Sequence, residues 1–316
     1  MNHCANAFLS ALFVYANCTT LDDLPVKSAP SKQTVVPTMF TTYNFRTQFY
    51  NCKRSLTDWT DSVRKQTSLS EKIYTREDKY GAHNYHPLPV ALSKGKGKSF
   101  SHTCIHTQGL YVWDVDGNKY MDFLSAYSSV NQGHCHPKLI KALTDQANIL
   151  TLTSRAFYND VLGEYEEYIT KLFGYDKLLP MNTGVEAGET ACKLARKWAY
   201  KVKGVPNNKA RILFAEGNFW GRTLAAVSSS TDPSCYEGFG PYMPGFDIVP
   251  YDDLIALEEK MKDPYVCAFM VEPIQGEAGV RVPSDGYLRE IRRLCDKYKV
   301  LFIADEVQTG LCRTGK

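Results

Sequence analysis

Past residue 136 the chain alternates stretches of helical spacing with short, unbroken apolar runs. Arg211-Ile-Leu-Phe-Ala215, Val266-Cys-Ala-Phe-Met-Val271 and Val300-Leu-Phe-Ile-Ala304 are continuous rather than alternating, as strands buried on both faces should be. Helical stretches between such runs predict an α/β fold, a mostly parallel sheet flanked by helices. In the clearest helix, Ala187, Ala191, Leu194, Ala195, Trp198 and Val202 recur at helical spacing, so that face should pack on the sheet. Glu186 and Glu189 in its first turn and Lys201 and Lys203 in its last complement the helix dipole. Pro137 reads as the first position of another helix.

Upstream the pattern is different. Pro87 and Pro89 rule out a helix. Val90-Ala-Leu-Ser and Leu110-Tyr-Val-Trp-Asp, the Asp116-Gly117 turn and Lys119-Tyr-Met-Asp-Phe read as a small antiparallel unit. Residues 98–109 have no clear period and look inserted into it. Met1 to Leu21 has no charged side chain, and its apolar run, Ala7 to Ala16, is too short to span a bilayer and lacks the positive start of a secretory signal. Residues 19–70 are rich in Ser and Thr and carry more Lys and Arg than Asp, which fits a transit peptide or a disordered tail. The expected division is a leader-like or disordered segment over 1–70, a small unit over 71–128 with its insert at 98–109, and a larger unit over 129–316, with order beginning near Glu71.

Composition narrows the partners. At 316 residues, 44% apolar and 22% charged, the chain is an ordinary globular one with room for two domains. A net charge of +3 is too small to favour nucleic acid or an anionic membrane, so a small polar metabolite is expected instead. Ten scattered cysteines without a C-x-x-C pair point to reduced thiols inside a cell. His102, Cys104 and His106 alternate and His134, Cys135 and His136 are contiguous, but neighbours in sequence rarely share one ion, and no metal is expected.

The candidate chemistry lies after the strands. Asn218 to Arg222 with Phe219, Glu272 to Glu277, and Asp305-Glu-Val-Gln308 each follow an apolar run, and in open α/β sheets ligands bind outside the carboxyl ends of strands. Asn182-Thr-Gly-Val-Glu-Ala187 opens the clearest helix, and a helix start with Thr183, Gly184 and free N–H groups suits a phosphate. No G-x-G-x-x-G opens a helix, and Gly97-Lys-Ser fails as a P-loop because position 92 is Leu. An acid at a strand end, an aromatic after another strand and a phosphate-binding helix start form the set that pyridoxal phosphate needs.

From Tyr80 to Lys316, apart from 98–109, the chain resembles the class-III, fold-type-I pyridoxal-phosphate aminotransferases, and among them the ornithine aminotransferases. The resemblance rests on Tyr80-Gly-Ala-His-Asn-Tyr-His-Pro-Leu-Pro89, Asn131-Gln-Gly-His-Cys-His-Pro137, Asn182-Thr-Gly-Val-Glu-Ala187 and Leu301-Phe-Ile-Ala-Asp-Glu306. The first of these, with Tyr85, is characteristic of the ornithine enzymes.

The resemblance implies a large cofactor domain, incomplete here, and part of a small α+β domain. It implies that Asp305 partners the pyridine N–H, that Phe219 stacks on the ring, that Thr183, Gly184 and Val185 hold the phosphate, and that Gln308 bonds the phenolic oxygen. Tyr85 and Arg222 would bind a substrate carboxylate, Tyr127 would line the ornithine pocket, Glu277 would belong to the switch between half-reactions, and Glu272 would support the cofactor site. The implied reaction passes the δ-amino group of L-ornithine to 2-oxoglutarate, giving glutamate 5-semialdehyde and glutamate, in a homodimer of the mitochondrial matrix or, alternatively, the cytoplasm. In the family the Schiff-base lysine follows on a later strand, and Lys316 does not match it. The 316-residue polypeptide is therefore expected to lack transaminase activity and to expose an apolar patch and an unpaired sheet edge. The alternatives are a non-catalytic cofactor-binding or dimerisation fragment, and an acetylornithine or 4-aminobutyrate aminotransferase.

Overall fold

The computed structural model describes residues 12–15, 68–82, 85, 87–92 and 109–315. These fall into two compact units, one drawn from 20–123 with 132–136, the other from 1–19, 124–131 and 137–316. In chain order the elements begin with strand β1 (Leu12–Tyr15) and helix α1 (Ser68–Tyr80). Helix α1 thus starts at Ser68, slightly before the expected Glu71.

The first unit contains α1 and a hairpin of β2 (Tyr111–Trp113) and β3 (Lys119–Met121), antiparallel with Tyr111 opposite Met121. Its turn is organised by Asp114, which accepts from the Asp116 and Asn118 N–H groups, Asn118 Nδ2 and the Tyr120 hydroxyl at 2.8–2.9 Å. Burial raises the pKa of Asp114, but these bonds outweigh it and hold the carboxyl below its ordinary value. Leu92 bridges Asp114, so the Val90 segment joins the hairpin as the sequence suggests. Residues 98–108 of the insert and all of the metal-like His102, Cys104 and His106 lie outside the described residues.

The second unit opens with a turn, Ser125–Ser128, in which all four residues take a positive φ of 48–72°. It continues through α2 (Pro137–Ala147), α3 (Leu162–Phe173) and α4 (Gly184–Trp198), which runs into a π-helical turn, Ala199–Lys203. Then come β4 (Arg211–Ala215), α5 (Leu224–Ser228), α6 (Pro233–Tyr236), β5 (Phe246–Val249), α7 (Leu254–Met261), β6 (Val266–Val271), α8 (Tyr287–Tyr298) and β7 (Leu301–Asp305). Pro137 does occupy the first position of its helix.

The sheet has the order β1-β7-β6-β4-β5, and β4 to β7 are mutually parallel. Alternate residues of the central strands serve two cores. Ile212, Phe214, Ala268, Met270 and Ile303 meet Ala191, Cys192, Ala195 and Ala199 on one side. Leu213, Ala215, Phe269 and Val271 meet Leu257, Met261, Ile291 and Leu294 on the other. The predicted runs at 211–215 and 266–271 are buried throughout or nearly so, whereas β7 alternates, with Phe302 and Ala304 only half-buried. Strand β5 is too short and too polar to read from sequence. It is placed by the Ile212 N–H, which donates to Gly245 O at 2.9 Å, and by Gly245, whose φ of +82° turns the chain into the sheet.

Two expectations are corrected. The unpaired edge does not lie at β7, because β1 runs antiparallel along it with Leu12 opposite Asp305, and the outer strands of the open sheet are β1 and β5. A strand edge offers a row of free N–H and C=O groups that an extended segment satisfies. The face of α4 is also narrower than its spacing predicts. Ala187, Gly188, Ala191, Cys192 and Ala195 are buried, while Leu194 is 48% and Val202 71% exposed. The π-helical turn adds a residue to that turn of the helix, which rotates Val202 off the sheet, and it sends Lys203 inward. The Lys203 ammonium donates to the Val266 and Tyr298 carbonyls, tying the start of β6 to the end of α8.

Candidate active site

The first turn of α4 is held by a capping box. Thr183 Oγ1 accepts from the Glu186 N–H at 3.2 Å, and the Glu186 carboxylate accepts from the Thr183 and Asn182 N–H groups at 3.1 and 2.9 Å. The Ala187 N–H bonds to Thr183 O. Helix geometry then leaves the Gly184 and Val185 N–H groups without intrahelical partners at the positive end of the dipole.

The loop after β4 is seated directly on this helix. A Cβ at Gly221 would lie 2.3 Å from Val185 Cγ2, and one at Gly188 would lie 2.6 Å from Trp220 Cε3. The Trp220 ring stacks on Phe214 at 5.7 Å, and its Nε1 donates to Ser229 Oγ at 2.7 Å. Ser229 Oγ donates to Asn218 Oδ1, whose amide nitrogen bonds the Ala215 and Ser229 carbonyls. Phe219, half-buried, therefore leaves a rigid loop, and exposed Arg222 follows just before Thr223, the N-cap of α5.

The loops after β6 and β7 complete the cluster. Glu272, directly after β6, is buried; its two oxygens accept from the Phe219 and Gly276 N–H groups, each at 3.1 Å. Asp305, the last residue of β7, is also buried and accepts from the Val307 N–H at 3.1 Å. Burial pushes Asp305 up to about 6, and burial together with the Asp305 charge pushes Glu272 up to about 7. Gln308 Nε2 reaches Glu277 at 3.4 Å, and the Gln308 side chain lies so close to Gly276 that a Cβ there would meet its Oε1 at 2.2 Å.

Contacts thus join Val185, in the turn that Thr183 caps, to Gly221, the loop of Phe219 to Glu272, Glu272 to Asp305 by charge, and Glu277 to Gln308, with Arg222 next to Gly221 in the chain. Tyr127 stands apart in the left-handed turn, half exposed, and among the described residues no hydrogen bond or ring contact joins it to the cluster. Tyr85 belongs to the other unit and is 48% exposed there. Sequence reasoning included Trp220, Gly221 and Gly276 in its polar clusters without giving them a role, and missed Ser229, which with them holds the loops; the Phe219-Trp220-Gly221 run shortly after β4 was the available signal.

A family described as aminotransferase class-III matches residues 93–316. The chain belongs to the class-III aminotransferases. It is 70% identical over 249 residues to the mitochondrial ornithine aminotransferase of Drosophila ananassae and 68% identical over 247 residues to that of Rattus norvegicus, covering 79% and 78% of this chain. It spans about half the length of these curated relatives, 55% and 54% respectively. Among solved structures, the ornithine aminotransferase from Toxoplasma gondii ME49 is similar with a TM-score of 0.74 and 49% identity, over 82% of this chain and 58% of that one. The parallel sheet and flanking helices described above are thus the class-III aminotransferase fold.

Proposed function

We propose that the site binds pyridoxal phosphate and serves an ornithine aminotransferase, moving the δ-amino group of L-ornithine to 2-oxoglutarate with glutamate 5-semialdehyde and glutamate as products. The observation that supports this most is Asp305. Its carboxyl is buried at the end of β7, and the neighbouring charged groups Glu306 and Glu272 are both of like sign. A buried carboxylate in that state suits a cationic ring N–H, which would return it to its ionised form.

The rest of the cluster fits the same ligand. Free N–H groups at Gly184 and Val185, with the Thr183 hydroxyl beside them, suit its phosphate. Phe219 would stack on the ring, and Gln308 would offer an amide donor to the phenolic oxygen. When bound, pyridoxal phosphate supplies the electron sink that amino-group exchange needs. Arg222 would grip a substrate carboxylate by its two-pronged guanidinium, and Tyr127 would line the pocket. Glu277 would trade partners between the two half-reactions, a role that its bond to Gln308 supports.

A homodimer fits the surface of α2 and α3. Neither helix has a buried residue, and Leu143, Phe157, Tyr158 and Leu172 between and along them are more than half exposed. The mitochondrial names of the fly and rat relatives, together with the leader-like composition of residues 1–70, support the mitochondrial matrix as its place.

The test is amino transfer by the protein purified with its cofactor from its own cells. L-Ornithine and 2-oxoglutarate should give glutamate 5-semialdehyde, trapped as its coloured adduct. Faster turnover of N-acetylornithine or 4-aminobutyrate would replace the ornithine assignment.

A further inference from the structure

Glu272 stands where two ligand-bearing loops meet. One of its oxygens accepts from the Phe219 N–H in the loop after β4, and the other accepts from the Gly276 N–H in the turn after β6. Neither loop is otherwise tied to the other by strand pairing, since both lie beyond the last paired residues of the parallel β4 and β6. On the far side of Gly276 there is no room even for a methyl group against Gln308, so a displacement of this turn moves Gln308 and the adjoining Glu277. The Gln275 amide, buried in the same turn, donates to Glu216 O at 2.9 Å and holds the turn to the base of the aromatic loop.

We propose that Glu272 is a positioning residue of this site: with the Gln275 amide as a second tie at the base of the same two loops, its carboxylate sets the loop of Phe219 and Arg222 and the turn of Gly276 and Glu277 together, so that the ring-stacking face and the Gln308 edge of the ligand site move as one. The inference rests on the pyridoxal-phosphate reading above for its consequence in binding, but the coupling itself concerns the free protein.

Burial is what gives the carboxylate this role. In a water-excluded position an unmet backbone N–H is costly, so the Phe219 and Gly276 N–H groups are held to the carboxylate that satisfies both. A glutamine at this position keeps one acceptor oxygen and turns its NH2 toward the other N–H, which breaks one of the two ties. An aspartate keeps the charge but shortens the reach by one methylene.

Amide hydrogen exchange on the cofactor-free protein, with Glu272→Gln and Glu272→Asp variants, tests the coupling. Phe219 and Gly276 amides should be protected in the parent protein, and each variant should raise the exchange of both about tenfold or more, including the amide that keeps its acceptor in the Gln variant, because the coupled loops loosen together, while the amides of β4 and β6 keep theirs. Exchange that rises at only one of the two amides, or at neither, would overturn the proposal. With pyridoxal phosphate added, each variant should bind about tenfold more weakly and lose part of the circular dichroism of the bound chromophore, because the ring sits less rigidly. A variant that only lost stability would show a lower Tm with an unchanged dichroic band, and that result would also overturn it. Failure of the parent protein to bind pyridoxal phosphate would sink the functional reading while leaving the exchange measurement to decide the coupling.

Discussion

Gly221 lies against Val185 so closely that a β-carbon on it would sit 2.3 Å from Val185 Cγ2, at a φ of +143° that side chains rarely adopt. This contact docks the aromatic loop on the first turn of the helix that offers its N–H groups. Gly221→Ala should therefore push the two apart, costing about 1–3 kcal/mol of stability for the overpacking. Phosphate-ligand affinity should fall with it. Urea unfolding beside a pyridoxal-phosphate titration checks both, and a variant of parental stability and affinity would show that the loop yields freely.

The cap of that helix makes a separate prediction. Thr183 Oγ1 accepts the Glu186 N–H, so Thr183→Ala should cost about 0.5–2 kcal/mol of stability. Thr183→Ser keeps the oxygen and should recover most of it. Should alanine and serine behave alike in denaturant melts, the capping bond has no weight.

Asp305 and Glu272 together predict a pH dependence. Their folded-state values, about 6 and about 7, lie above the usual carboxylate range because of burial, with Asp305 adding repulsion at Glu272. Such groups bind more protons folded than unfolded, so their contribution to stability is greatest below about pH 4 and falls as pH rises toward 7. The groups facing Glu272 are Asp305 on β7, Glu277 on its own turn and the Tyr251 hydroxyl on its carbonyl. None of the three is a cation that would reverse the sign. Denaturant melts of the cofactor-free protein from pH 5 to 8 should show the decline, and Asp305→Asn should flatten it. The same variant should weaken pyridoxal-phosphate binding roughly ten- to hundredfold, the value of a hydrogen bond to a charged group; binding unchanged in the Asn variant would remove Asp305 from the site.

Lys203 is predicted to matter only for stability. Its ammonium bonds the Val266 and Tyr298 carbonyls, at the opposite end of the sheet from the ligand loops. Lys203→Met should cost about 1.5–3 kcal/mol and leave pyridoxal-phosphate affinity within about twofold. A change in affinity larger than the change in stability explains would contradict this separation.

Much of the site was legible before the fold. Asp305, Glu272 and Phe219 each follow a continuous apolar run, and a parallel strand buried on both faces must end in a polar loop at the ligand-binding edge. The first turn of α4 was legible in part, with Thr183 and Gly184 as a phosphate-type start and Glu186 as a charge on the dipole, while the capping box that joins Thr183 to Glu186 came from the structure. The contacts that close the site were not legible. Gly221 against Val185, Gly276 against Gln308 and the Phe219 N–H on Glu272 join residues tens of positions apart, and no local period encodes them.

The division follows from range. The amino-acid sequence by itself determined the buried strands, the start of the phosphate-type helix, the chemistry at the strand ends and the likeness to an aminotransferase family, because these are written in spacings of a few residues. Only the tertiary structure decided that a π-helical turn rotates Val202 to solvent and Lys203 inward, that Leu12–Tyr15 occupies the edge of β7, and that one buried carboxylate ties two loops together. Those depend on which backbone groups burial leaves in need of partners, and that is known only once the sheet and its helices have closed over them.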